Sequence, residues 1–113
     1  MDPIQTAIFA ALIIAFLVFK RLGQISSAKA RQMVQAGAAL IDVRSPGEFA
    51  SGHLPAAKNI PVGEIGAQLD SLGAKESPII VYCASGTRSA MARAMLKSKG
   101  FREVYNLGAM SRW

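Results

Sequence analysis

The sequence has very little cysteine. Cys83 stands alone, which excludes an internal disulfide framework and zinc-finger spacing and fits a reducing compartment, where a free thiol survives. Acidic residues are also scarce: 7 Asp and Glu face 13 Lys and Arg, a formal net charge of +6. A basic balance of this kind suits nucleic acid, a membrane surface or small anions. No arginine–aromatic interleaving and no nucleic-acid motif accompany it, so nucleic acid is not an expected partner. Small anions and a phospholipid surface remain. Internal repeats and low-complexity tracts are missing, and histidine occurs once, at His53. With 113 residues the chain has room for one domain and little else.

Charge is missing altogether from Pro3 to Phe19, and Ile8 to Phe19 is apolar without interruption. As a helix this segment is near the short end of the range that spans a bilayer. A cleavable signal peptide is disfavoured, because no basic region precedes the run and the basic residues follow it. A buried core helix is disfavoured too, since a small domain has nowhere to hide a helix apolar on all sides. The expectation is a single-pass transmembrane helix over residues 1–22 and a second unit over 23–113. Lys20, Arg21, Lys29 and Arg31 follow the apolar run and only Asp2 precedes it. The positive-inside rule then turns the domain towards the cytoplasm and makes membrane lipid a partner. Ala7, Ala11 and Ala15 have the four-residue spacing of small-residue helix dimers, a spacing that alanine produces readily by chance.

What the chain does have is a strand–loop–helix unit around its one thiol. Pro78 to Tyr82 is a short, β-branched, apolar run that reads as a buried strand. Ser89 to Lys97 consists of strong helix formers and is closed by Gly100. Cys83 therefore sits at a strand-to-helix turn, on the sheet edge where open α/β folds bind ligands. Between them run Ala84, Ser85, Gly86, Thr87, Arg88 and Ser89. Small residues let the backbone curl, Gly86 takes positive φ freely, and successive amides can converge into an anion nest. The helix N-terminus and the Arg88 guanidinium add positive charge. A thiolate held there has a lowered pKa and is nucleophilic at neutral pH. Taken alone, a cysteine at a strand end reads as an ordinary buried residue; the loop, arginine and helix start that follow in order argue against that.

The other elements alternate. Ile25-Ser26 reads as a short strand, with Ser26 or Ser27 capping a helix to about Gln35 that Gly37 ends. Ala39 to Val43 is a buried strand, and Ser45-Pro46-Gly47-Glu48 is a capping box opening a short helix. Ala57 to Ile60 is a third strand stopped at Pro61; Val62 to Leu72 is a helix weakened by Gly63 and Gly66. A last strand runs around Glu103 to Asn106. Strands alternating with helices make a three-layer α/β domain with a parallel sheet.

Four residues separate Cys83 from Arg88. A Cys-x5-Arg ring is the phosphate cradle of cysteine-dependent phosphatases; this shorter ring resembles the active-site loop of rhodanese-type sulfurtransferases. The likeness extends upstream through Ile41-Asp42-Val43-Arg44, Glu48-Phe49 and Gly52 to Pro61, and downstream through Val104 to Met110 with Trp113. It covers about residues 24 to 113. The resemblance implies a rhodanese-like domain that moves sulfane sulfur through a persulfide on Cys83. The donor would be a small anion such as thiosulfate, the acceptor cyanide or a thiol, and no cofactor or metal is expected. It also implies that Asp42 and Arg44 support the site structurally by bonding nearby backbone. His53 as a catalytic partner of Cys83 is the sharper reading, but rhodanese chemistry needs no histidine base, and the motif around His53 points to structure. Glu48 is accounted for by capping, and Arg93, Lys97 and Lys99 read as a solvated helix face. The alternative function is a non-catalytic rhodanese-like module that recruits a partner to the membrane; such a module would have no need of Cys83.

Overall fold

A computed structural model describes residues 1–113. Four parallel strands, β1 (Ala39–Asp42), β2 (Lys58–Asn59), β3 (Ile79–Cys83) and β4 (Val104–Ala109), form one sheet in the order β2-β1-β3-β4. Every residue of the central strand β3 is buried, as expected when both faces of a parallel sheet are covered. Alternation along β3 sorts its side chains. Ile79, Val81 and Cys83 join a core with Ala92 and Leu96 of α4 (Thr87–Ser98) and with Ile65, Leu72 and Phe101. Ile80 and Tyr82 face the other way, with Leu40, Leu54, Leu107 and Ala30 of α2 (Ser27–Gln35). The thiol is thus on the α4 face because it is two residues beyond Val81.

The local signals explain the termini. Ser26 Oγ accepts from Lys29 N, and Ser45 and Glu48 form the expected reciprocal capping box of α3 (Pro46–Ala50). Three elements differ from expectation. Residues 62–72 form two 3-10 segments, Val62–Ala67 and Leu69–Leu72, instead of one helix. Gly63 and Gly66 lower the helical preference, and Gln68 at φ −121° breaks the turn, while Ile65 and Leu72 still reach the core. The expected strand at Ile25-Ser26 is a single bridge from Gln24 to Asn106. The last strand is longer than expected and carries a bulge: Val81 pairs with Asn106 but Tyr82 pairs with Gly108.

The N-terminal helix α1 (Pro3–Arg21) is capped by Asp2 and has no buried residue. It is the one helix long and apolar enough to cross a membrane; 19 residues rise about 28 Å, against a hydrocarbon core of about 30 Å. Its last turn meets the domain near α4. The segment after it is tied to β4: Asn106 N donates to Gly23 O (2.8 Å) and Ile25 N donates to Asn106 O (3.1 Å).

Asp42 and Arg44 form a buried pair beneath the sheet edge. Arg44 Nη2 donates to Asp42 Oδ2 (2.7 Å) and to Gly52 O (2.6 Å), and Arg44 N donates to Asp42 Oδ1 (2.9 Å). Burial raises the Asp42 pKa, but hydrogen bonds from Arg44 and Tyr82 and the Arg44 charge outweigh it, and the net shift is downward. A carboxylate lowered in the folded state stabilises above its unfolded pKa, and that stability is lost as pH falls through the folded value. Asp42→Ala leaves a buried guanidinium unpaired and is expected to cost about 3–5 kcal/mol in urea unfolding. Asp42→Asn is expected to flatten the loss of stability on acidification; an unfolding curve for Asp42→Ala that superimposes on the parent would contradict this role.

Candidate active site

β3 ends at Cys83, and the chain turns into α4 through Gly86, whose φ is +96°. That left-handed conformation suits glycine. It lets the loop fold back so that amides point at the sulfur. Gly86 N donates to Cys83 Sγ at 2.9 Å and Ser89 N at 3.4 Å, and Ser89 Oγ is 3.4 Å away. Cys83 itself is 0% exposed. Burial raises the thiol pKa, but the hydroxyl of Ser89 and the amides of Ser89, Gly86 and Ser85 favour the thiolate more strongly, so the pKa is lowered. The arrangement is a nucleophile held ready by fixed donors, with no side-chain base within hydrogen-bond distance of it.

The loop is pinned from behind. Gly86 O accepts from Ala90 N (3.1 Å), Ser89 Oγ (3.1 Å) and Asn106 Nδ2 (3.5 Å). Asn106 Oδ1 accepts from Gly108 N (2.8 Å), so the β4 bulge holds the amide that holds the loop. The strand pattern places Asn106 in the last strand and does not reveal this role. The signal in the sequence is an asparagine two residues before a glycine, in an apolar strand next to the cysteine strand.

The Arg88 side chain is bonded to Glu48 and not to the sulfur. Its Nη1 and Nη2 donate to Glu48 Oε1 (2.7 Å) and Oε2 (3.1 Å), and both side chains are a little over one-third exposed (37% and 36%). Glu48 Oε1 also accepts from Ser45 N. One carboxylate therefore closes the α3 cap and clamps the loop, which the capping reading alone did not foresee. Arg88, with Ser45 N, lowers the Glu48 pKa to about 2, so the pair stays charged throughout the neutral range.

Asp42 and Arg44 lie behind the site, bonded to each other and to backbone. His53 stacks on Phe49 (3.8 Å between centroids) and donates Nδ1–H to Phe49 O at 3.0 Å. It makes no hydrogen bond to Cys83, and its place is structural. Ala84 and Ser85 are exposed at the loop's rim, and Thr87 is half-buried at the start of α4. Of the expected solvated helix face, Arg93 is instead half-buried, donating Nε–H to Val104 O (2.8 Å), and Lys97 Nζ donates to Arg102 O (2.9 Å). No cluster of His, Cys, Asp and Glu is placed to hold a metal.

The model of the rhodanese-like domain family matches residues 26–113. The chain belongs to that family. Among its relatives is the Bacillus subtilis protein YqhL, 35% identical over a match spanning 99% of this chain and 92% of that one. The rhodanese-like relatives also include the thiosulfate sulfurtransferase GlpE of Stutzerimonas stutzeri (37% identity, 84% of each chain). Among solved structures, the human single-domain sulfurtransferase TSTD1 superposes with a TM-score of 0.73 at 31% identity, over 80% of this chain and 94% of that one. A rhodanese with anions from E. coli gives 0.65 at 29% identity, over 68% and 92%. The fold is thus the rhodanese fold, and the YqhL match takes in the N-terminal helix as well.

The lowered thiol pKa has a direct readout. Alkylation of Cys83 by iodoacetamide should follow a pH profile with its midpoint below that of an ordinary cysteine, because the thiolate is the reactive form. The one proton of the Ser89 hydroxyl reaches either Gly86 O or the thiolate; Ser89→Ala removes it and should move the midpoint upward. A wild-type midpoint at or above the ordinary thiol value would exclude the stabilised thiolate.

Proposed function

We propose that the protein is a sulfurtransferase that carries sulfane sulfur as a persulfide on Cys83. The reading rests above all on one observation: Cys83 Sγ receives the Gly86 and Ser89 amides while no side-chain base touches it. The Cys83 thiolate attacks the outer sulfur of thiosulfate or a related donor. The donor's S–S bond breaks, sulfite leaves with the electron pair, and a Cys83 persulfide forms. A thiolate or cyanide then attacks the terminal sulfur, the bond between that sulfur and Cys83 Sγ breaks, and the Cys83 thiolate leaves with the electron pair. Neither step requires a proton-transferring base, since anions attack and anions leave. The loop from Ala84 to Ser89 supplies amides and the α4 N-terminus for the negative charge. Arg88, held by Glu48, orders that loop and adds its field. Sulfurtransferase relatives of similar length support the assignment.

The retained cysteine and its donors favour the enzyme over a purely recruiting module. Cys83→Ser should abolish thiosulfate:cyanide transfer, and intact mass spectrometry after thiosulfate should find about one added sulfur mass on the parent only. Arg88→Ala should lower the rate by less than the roughly 10²–10³-fold that loss of a direct oxyanion donor costs, and Glu48→Gln should reproduce the effect. Full activity in Cys83→Ser would refute the assignment.

We further propose that α1 crosses the membrane once and leaves residues 23–113 on the cytoplasmic side. Its length and apolar surface support the span, and the basic residues at its C-terminal end support the orientation. The full chain should resist carbonate extraction, and a chain beginning at Gly23 should be soluble and folded. Digestion of the domain by protease added outside intact cells would overturn the orientation.

A further inference from the structure

A concavity lies beside the sulfur site, where α1 meets the loop. Its volume is about 220 Å³, and Lys20, Arg21 and Arg112 line it together with Gln24, Ser85 and Gly86. No acidic side chain lines it. The two carboxylate–cation pairs of the chain, Asp42–Arg44 and Glu48–Arg88, are elsewhere and leave these three cations without a counter-charge.

The walls are built rather than loosely arrayed. Arg112 Nε donates to Leu107 O (2.8 Å) and Nη2 to Ile25 O (3.0 Å), which fixes the guanidinium at the rim. Lys20 is half-buried, with its stem over Gly86: a Cβ at Gly86 would lie 3.6 Å from Lys20 Cε and 3.4 Å from Gly108 Cα. Gln24 flanks Gly108 in the same way. Three positive groups around a small cleft, one of them the fixed Arg112 guanidinium, repel one another until an anion enters. Arginine forks and a lysine ammonium match an oxyanion with several acceptor oxygens. The cleft is smaller than the usual pocket for a drug-sized molecule, which runs from about 300 Å³ upward. Lys20 and Arg21 precede residue 26, where the family match begins, so the cleft arises from the junction of α1 with the domain. Leu17, the last apolar residue on that side of α1, also borders it.

We propose that this cleft is an oxyanion site that takes a phosphate-class group, separate from the loop interior where Cys83 lies. The phosphate comes from a lipid headgroup or from free phosphate in solution. Its occupancy is felt at the sulfur site because Gly86 belongs to both: its backbone lines the cleft and its amide donates to Cys83 Sγ.

The test needs no turnover, so it stands or falls apart from the sulfur chemistry. The full ¹⁵N-labelled chain in a neutral, phosphate-free detergent is titrated with inorganic phosphate at constant ionic strength, and in a second arm with short-chain phosphatidylglycerol. The Gln24, Ser85 and Gly86 amides should shift saturably. K20Q/R21Q should weaken binding about tenfold or more, the loss expected for charge-assisted hydrogen bonds. The single variants K20Q and R21Q, each weakening it less, are measured alongside in case the pair disturbs α1. Arg112 is left in place because it also ties Leu107 and Ile25. Tighter binding of the lipid identifies a headgroup as occupant, and equal or tighter binding of inorganic phosphate identifies the free anion; both support the site. No saturation with either probe, unchanged affinity in the folded variants, or shifts at Ser85 and Gly86 without Gln24 would overturn it.

Discussion

The donation from Gly86 N to Cys83 Sγ organises the molecule's functional end. It requires the left-handed backbone at residue 86, where a side chain would be strained by conformation rather than by its neighbours, since Gly108 and Lys20 stand at ordinary contact distance. It also requires β3 to stop at the right residue, so that the sulfur lies on the α4 face. β3 is fixed by the packing of both its faces, and α4 by the burial of Ala92 and Leu96. The loop then has little freedom left, and its amides are aimed before any substrate arrives. Such pre-aimed dipoles stabilise negative charge without reorganising during the reaction.

Two arginine–carboxylate pairs serve this loop at different depths. Asp42 and Arg44 are buried and spend their hydrogen bonds on each other and on backbone, fixing the segment that leads from α3 to β2. Glu48 and Arg88 are partly in water and join α3 to the start of α4. An exposed pair of this kind contributes little to folding, where solvent screens it. Its value is positional: it ties the first turn of α4 to α3 and closes a helix cap with the same carboxylate.

Much of this was legible in the residue order because the decisive signals are local. Ser45 to Glu48 spells a capping box, Gly86 marks a positive φ, and the β-branched run before Cys83 marks a buried strand. The three motifs that resemble the rhodanese family fixed the order of the elements. Contacts distant in sequence were not legible. Glu48 meets Arg88 across 40 positions, and Asn106 meets Gly86 across 20; local pattern says nothing of either. Residues 62–72 misled for a different reason. Their apolar spacing suits a helix, but two glycines let the chain take tighter turns that still bury Ile65 and Leu72. Arg93 reads as solvent-facing from its helix position, yet the carbonyl of Val104 claims it.

The junction between α1 and the domain is short. Only Leu22 and Gly23 separate the helix from the Gln24 bridge to β4, and a fully extended run of two residues covers about 7 Å. Lys20 already rests on the loop, so even that slack is partly taken up. With α1 spanning the bilayer as proposed, the sulfur is leashed within nanometres of the lipid surface and cannot tumble out to meet a distant acceptor. Delivery then becomes a two-dimensional search: an acceptor that is itself membrane-bound, or one drawn to the surface by its charge, meets the persulfide far more often than one that stays in bulk solution.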